Sequence, residues 1–367
     1  MPNSKILFDD VKRKIRIQYS GLVLGIFTWI FLFLYHTTLR FSIHGLYDTY
    51  IFSSIRYFYA VLLYWVPIPL LHIFIVILAI CVTKFIRGLV LRKINITTSI
   101  LQAINFAGWL YFLFYFLWGI HYFRPSLSET LKLSQVIQDS VILIQEMQSV
   151  TDSVNAVRER ISSDTSALNP HRIYKSDAHH IAQIEQKILN SWNIPATQSI
   201  RIRKLKPDGF LLRFSTAGFY WPYIGEGHID GGLHVLQWPF TNAHELAHGY
   251  GITDEGECNF IGLMTCIQSH DNFIQYSGWL TYWKYLYFEI LKQNIHTGKI
   301  IYGALIPGVK NDLKEIRQNN DRYPDILPEL RDIVYDTYLK QNNVQAGLQS
   351  YNQIIDLKLR YDKTFKH

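Results

Sequence analysis

The sequence predicts a mainly α membrane protein: three N-terminal transmembrane helices, then a polar α+β body with a small sheet and a mostly helical remainder. Three observations carry that expectation. Apolar runs long enough to span a bilayer occupy about 21–39, 57–83 and 100–121. The net charge of +7 is lodged among those runs: residues 1–124 hold 12 Lys+Arg against 3 Asp, so the remainder of the 367-residue chain is close to neutral. Beyond about residue 122 the pattern changes to amphipathic periodicity with polar, glycine-containing connections.

The anchor begins with Lys5, Lys12, Arg13, Lys14 and Arg16 in a short segment, 1–20, ahead of the first run, "GLVLGIFTWIFLFLYHTTL". A basic start and an apolar run would also suit a signal peptide. The following "YHTTLRF" offers no small-x-small cleavage site, so an uncleaved anchor is expected. The second run, "YFYAVLLYWVPIPLLHIFIVILAICVT", has no charge, and Pro67 and Pro69 are expected to kink it. The third, "ILQAINFAGWLYFLFYFLWGIH", ends in an aromatic belt.

Lys84, Arg87, Arg92 and Lys93 follow the second run without an acid, whereas the first loop has only Arg40 and Arg56. The positive-inside rule then puts residues 1–20 and the second loop in the cytoplasm and residues 122–367 outside. Basic clusters in this setting are topology signals. The expected partner is the lipid bilayer, and nucleic acid is set aside. Cys81, Cys258 and Cys266 do not make a disulfide framework.

In the body, residues 126–163 read as a helix or helix pair, with Val136, Ile137, Val141, Ile144 and Met147 at helical spacing. Residues 179–192 form a second such stretch. Residues 200–240 alternate and suit short strands and turns, with "GLHVLQW" (232–238) as a candidate edge strand for an extended peptide. Helices return after 254, including 276–293 and 328–343.

His244-Glu245-Leu246-Ala247-His248 is an HExxH motif. On a helix, residues four apart share a face, so both imidazoles can address one ion, with Glu245 placed to act on a water beside it. Pro239 and Thr241 suit a helix start, Thr241 as N-cap, and Gly249 and Gly251 supply a stop. Zn²⁺ with three protein ligands leaves a position for water, and Glu245 would be the general base. Three acids compete as third ligand. Asp254 has the H-x-x-G-x-x-[HD] spacing of metzincins, and Glu257 has a plain alternative as capping-box partner of Asp254. Glu255 is favoured because Asn259, four residues on, shares its helical face and could hold a ligand histidine. Glu226 and His228 could line a cleft, or could belong to a turn organised by Asp230. Tyr276 and His270 are candidates to stabilise an oxyanion.

The chain resembles an uncharacterised bacterial family of membrane-anchored proteins, thought to be zinc metallopeptidases and known only as a domain of unknown function. The similarity runs in order through Trp118-Gly119 to Arg124-Pro125, the Gly218-x-Tyr220-x-Pro222-x-x-Gly225-Glu226 stretch, the HELAH, Glu255-x-Glu257-Cys258-Asn259-Phe260, and Tyr276-Ser277-Gly278. Cys258 stands where the family has alanine. The Glu255 element is also similar to the third-ligand helix of gluzincins. The resemblance implies a zincin-like α+β domain over 122–367, bound Zn²⁺, and multi-pass residence in a bacterial cytoplasmic (inner) membrane.

The expected function is hydrolysis of peptide bonds outside that membrane, with His244, His248 and Glu255 on the metal and Glu245 as base. The alternatives are a non-catalytic sensor or scaffold with a structural metal, and a metal-dependent amide hydrolase acting on a non-peptide envelope substrate.

Overall fold

The computed structural model of the chain describes residues 3–35, 45–63, 65–91, 95–168, 178–198, 200–326, 328–329 and 353–365. Most of the expected helix at 328–343 lies outside these residues. The chain is mostly helical, with one small mixed sheet, and divides into two compact units. One comprises residues 1–55, 63–124 and 222–224, and the other 56–62, 125–221 and 225–367.

The first unit holds the apolar helices. α1 (Asn3–Leu34) passes from the basic N-terminal residues into the apolar stretch Tyr19–Leu34 without a break. The second apolar run is not one kinked helix. It divides into α2 (Ser53–Leu63), whose residues 56–62 belong to the other unit, and α3 (Leu70–Val90). Two prolines remove two N–H donors and force the residue before each toward extended backbone, more than one helix absorbs. Pro69 instead becomes the extended residue that starts α3. α4 (Ile96–Leu117) is capped by Asn95, whose side chain accepts from Thr98 N–H at 2.7 Å. The end of the third run tightens into a 3₁₀ turn at Gly119–Phe123.

Among the described residues, two helices are therefore long and apolar enough to cross a membrane, α3 and α4; Tyr19–Leu34 is apolar but shorter. α1 packs along α4, where Asn105 Oδ1 accepts from Gly21 N–H at 2.6 Å. α3 exposes Ile75, Val76, Ile77, Ile80 and Val82.

The second unit begins with a single turn, α5 (Leu127–Thr130), closed by a capping box between Ser126 and Glu129. Residues 133–139 are not helical, and α6 (Ser140–Ile161) starts where Asp139 accepts from Ile142 N–H at 2.8 Å. Its buried face is Leu143, Met147, Val150, Val154 and Val157. The helical period is as expected but its phase is not: Val136 and Ile137 precede the helix and Val141 is exposed. α7 (Ala178–Ser191) matches the second expected stretch.

The sheet follows, with β1 (Arg201–Leu205), β2 (Gly218–Trp221) and β3 (Glu226–Asp230) in the order β1-β3-β2. β3 is central, parallel to β1 and antiparallel to β2. The expected strand at 232–238 is instead a turn and a short 3₁₀ segment, Val235–Gln237. Asp230 causes the reversal: its buried carboxylate accepts from the N–H of Gly209, Leu211, Leu212 and Gly232 at 2.6–3.2 Å. One side chain thus pins the loop before β2 and the turn after β3.

Helices complete the unit: α8 (Trp238–Gly249), α9 (Glu255–Ile267), α10 (Asn272–Gln293), α11 (Ile295–Gly303), α12 (Pro307–Asn320) and α13 (Gln353–Phe365). α8 and α9 are buried along most of their length, against each other, α7 and α10. Trp192 stacks on Phe260 of α9 at 5.9 Å, and Tyr361 of α13 closes over both.

Glu185 of α7 is enclosed in this core, with Oε2 3.5 Å from the Thr265 hydroxyl, and burial pushes its pKa well above the ordinary 4.5. A folded carboxyl that holds its proton more tightly than the unfolded one makes stability fall as pH rises above the unfolded pKa. The midpoint of thermal unfolding is therefore expected to fall as pH rises above about 5, and to fall less in Glu185→Gln, which stays neutral throughout.

Candidate metal centre

α8 starts at Trp238 with Pro239 in its first turn, where a missing N–H costs nothing. Thr241, expected as the cap, therefore lies inside the helix. The far end is a Schellman turn: Ile252 N–H donates to Ala247 O at 3.1 Å and Gly251 N–H to His248 O at 3.0 Å, with Gly251 at φ +85°. Asp254 then caps α9 by accepting from Glu257 N–H at 2.9 Å. Turn and cap together put Glu255 in the first turn of α9, facing back toward α8.

Three side-chain atoms converge as a result. His244 Nε2 and His248 Nε2 are 3.2 Å apart, and Glu255 Oε2 lies 3.1 Å from the first and 3.4 Å from the second. A tetrahedral cation with bonds of about 2.0–2.1 Å has ligand–ligand edges of about 3.3 Å. The protonation pattern fits the same reading. His248 Nδ1 is 2.9 Å from Ile252 O, an obligate acceptor, so the proton of a neutral ring sits on Nδ1 and the lone pair on Nε2. His244 Nδ1 is likewise 2.9 Å from Asn259 Oδ1. Two lone pairs and a carboxylate oxygen then face one another, an arrangement that calls for a positive charge between them.

Of the three competing acids, Glu255 is the one brought to the imidazoles. Asp254 is engaged as the helix cap, and the Glu257 side chain accepts from Leu127 N–H, tying down the start of α5. Burial opposes ionisation of Glu255, but His248 and His244, when protonated, hold its carboxyl well below the usual range. Glu245 is 3% exposed and has an oxygen, Oε2, with no hydrogen-bond partner. Burial lifts its pKa to about 7, against the pull of His244 and His248.

Other expected residues lie elsewhere. Strand alternation turns Glu226 and His228 to the face of the sheet opposite α8, because Gly227 between them is the residue that meets Glu245. There Glu226 lies 3.5–3.6 Å from Arg203 and Arg201, and His228 stacks on Phe219. The Tyr276 hydroxyl donates to Asp312 Oδ2 at 2.7 Å, in a buried network with Arg158, and His270 is exposed.

Several contributors went unread in the sequence. Cys258 Sγ lies 3.3 Å from His248 Nδ1, a neighbour that its spacing of three from Glu255 on a helix would have suggested. Tyr285 of α10 lies close enough to Asn259 and Glu255 for both to bear on its ionisation, while burial raises its pKa overall. Gly218 of β2 admits Glu245: a Cβ there would lie 2.8 Å from Glu245 Oε1.

Fold and site together define a mostly helical chain with a small mixed sheet, in which an HExxH helix and the next helix bring two imidazoles and a carboxylate to one point. The family model described as "Protein of unknown function (DUF3810)" matches residues 47–359, and the chain belongs to that family. No curated protein and no solved structure matches it.

The geometry sets an order among variants for Zn²⁺ uptake, measured by competition with a chromophoric chelator. Glu255→Ala is expected to abolish tight uptake, and Asn259→Ala to weaken it by about 10- to 100-fold. Asp254→Asn and Glu257→Gln are expected to retain it.

Proposed function

We propose that this protein is a membrane-anchored, zinc-dependent metallopeptidase. One observation supports the reading above the others: a buried glutamate with an unpartnered oxygen stands beside a trio of atoms at cation-ligand spacing. A site that only holds a metal has no use for such a base.

His244, His248 and Glu255 would hold Zn²⁺, which would supply Lewis-acid polarisation of the scissile carbonyl and acidify a water. Glu245 takes a proton from the attacking water and returns it to the leaving amine, a task suited to a carboxyl with pKa about 7. Ile252 O and Asn259 keep both imidazoles in one orientation and tautomer. β2 is an edge strand whose Gly218 adjoins Glu245, so an extended peptide adding to that edge would pass the base.

The reading includes a bacterial cytoplasmic membrane, with the N-terminus inside and the catalytic residues on the outer face. The basic residues ahead of the first apolar stretch and after α3 support that orientation.

The test uses the full chain in detergent, with metal analysis and cleavage of a fluorescent peptide library. Wild type is expected to carry about one zinc per chain and to cleave, the stoichiometry of a catalytic site with three protein ligands. His244→Ala should lose both properties, and Glu245→Gln should keep the metal and lose cleavage. Zinc bound without cleavage of any library member would instead favour a structural metal or a non-peptide amide.

A further inference from the structure

Segment 218–226, singled out in the sequence, lies against the trio without belonging to it. Gly218 brings β2 onto Glu245, and Tyr220 leaves the strand on the same face, one pleat or about 7 Å along. Across the ladder from Tyr220 is Gly227, which also meets the Glu245 side chain. The Tyr220 oxygen accepts from Arg56 Nη1 at 3.1 Å, and the same nitrogen donates to Gly225 O at 3.0 Å.

Arg56, carried by α2, is 4% exposed, and its Nε has no acceptor. No carboxylate pairs with it among the described residues. A buried guanidinium is thus committed to one phenol and one turn. Gly225 makes room for Tyr59: it sits at φ +61°, and a Cβ there would run into the Tyr59 ring at 2.2 Å. The Tyr220 pKa is raised by burial, and the charges that pull it down are Arg56 and then His248, so the phenol stands within the field of one member of the trio. A hydroxyl whose oxygen accepts from a cation is a stronger donor of its own proton.

We propose that Tyr220 donates the hydrogen bond that stabilises the oxyanion during hydrolysis, with Arg56 as its positioning residue. The proposal rests on the hydrolase reading above. As water adds to the scissile carbonyl, the π electron pair moves onto oxygen, and Tyr220 donates a hydrogen bond there while keeping its proton. When the C–N bond breaks, that pair re-forms the C=O of the product acid, and the amine receives the proton that Glu245 took from water.

The full chain in detergent, loaded with Co²⁺ and titrated with acetohydroxamate, tests this without any substrate; the visible Co²⁺ bands report both metal and hydroxamate binding. Tyr220→Phe is expected to keep Co²⁺ and to bind acetohydroxamate about tenfold more weakly, the loss of one hydrogen bond to a charged group. Arg56→Met should show a similar loss, and Arg56→Lys should recover to within about threefold of wild type. The double variant Tyr220→Phe/Arg56→Met should be no weaker than Tyr220→Phe alone.

Unchanged hydroxamate affinity in Tyr220→Phe would overturn the proposal. Loss of Co²⁺ uptake in that variant would also overturn it, because the phenol would then be structural. A wild type that takes up no metal is a different result, which removes the hydrolase reading and this one together.

Discussion

With both rings neutral, three acceptor atoms held at 3.1–3.4 Å from one another repel, and the rest of the site depends on how the fold enforces that contact. The enforcement is mostly backbone. α8 is packed through Ala243, Leu246 and Ala247, so it has no room to rotate its histidines away. Gly251 reverses the chain within a Schellman turn, and the same turn fixes the Ile252 carbonyl under His248. Asp254 then starts α9 so that Glu255 and Asn259, four residues apart, both face α8. Swinging either imidazole out would give up the partner of its Nδ1 and leave a buried donor unpaired.

The sheet contributes by coming unusually close. At Gly218 and Gly227 the backbone itself touches Glu245, and either position with a side chain would push strand and helix apart. Strand alternation then has a second consequence. The bulky and charged residues of β1 and β3, among them Arg201, Arg203, Glu226 and His228, are carried to the other face, where they pair with one another. A single period-two pattern thereby separates the face that approaches the His244–His248–Glu255 trio from an ion cluster.

Much of this is legible in the sequence, and the parts that are not share a cause. The HExxH spacing, the glycine stop and the i,i+4 relation of Glu255 to Asn259 are local rules, and each holds. The helix start differs from the local expectation: Thr241 is a good cap in isolation, whereas Pro239 two residues earlier sits in the first turn. Glu257 and Tyr276 find their partners, Leu127 and Asp312, 130 and 36 residues away. Arg56 reaches Tyr220 across 164 residues. No periodicity encodes such contacts, and only the folded chain brings them together.

Buried carboxylates show where the fold leaves a polar group unsatisfied by design rather than by failure. Asp312 accepts from Arg158, Tyr276 and the Leu168 N–H, and Asp230 accepts from four backbone donors. The same core therefore has the means to neutralise an enclosed acid through ions, hydroxyls and main chain. Glu245, equally enclosed, has an oxygen with no donor at all, and burial lifts its pKa to about 7. Leaving it so costs stability, and replacement by an apolar residue of similar size would relieve that cost. Buried Glu185 also has an oxygen without a hydrogen-bond partner; what distinguishes Glu245 is that its deficit is set beside three converging acceptors, an arrangement suited to proton exchange.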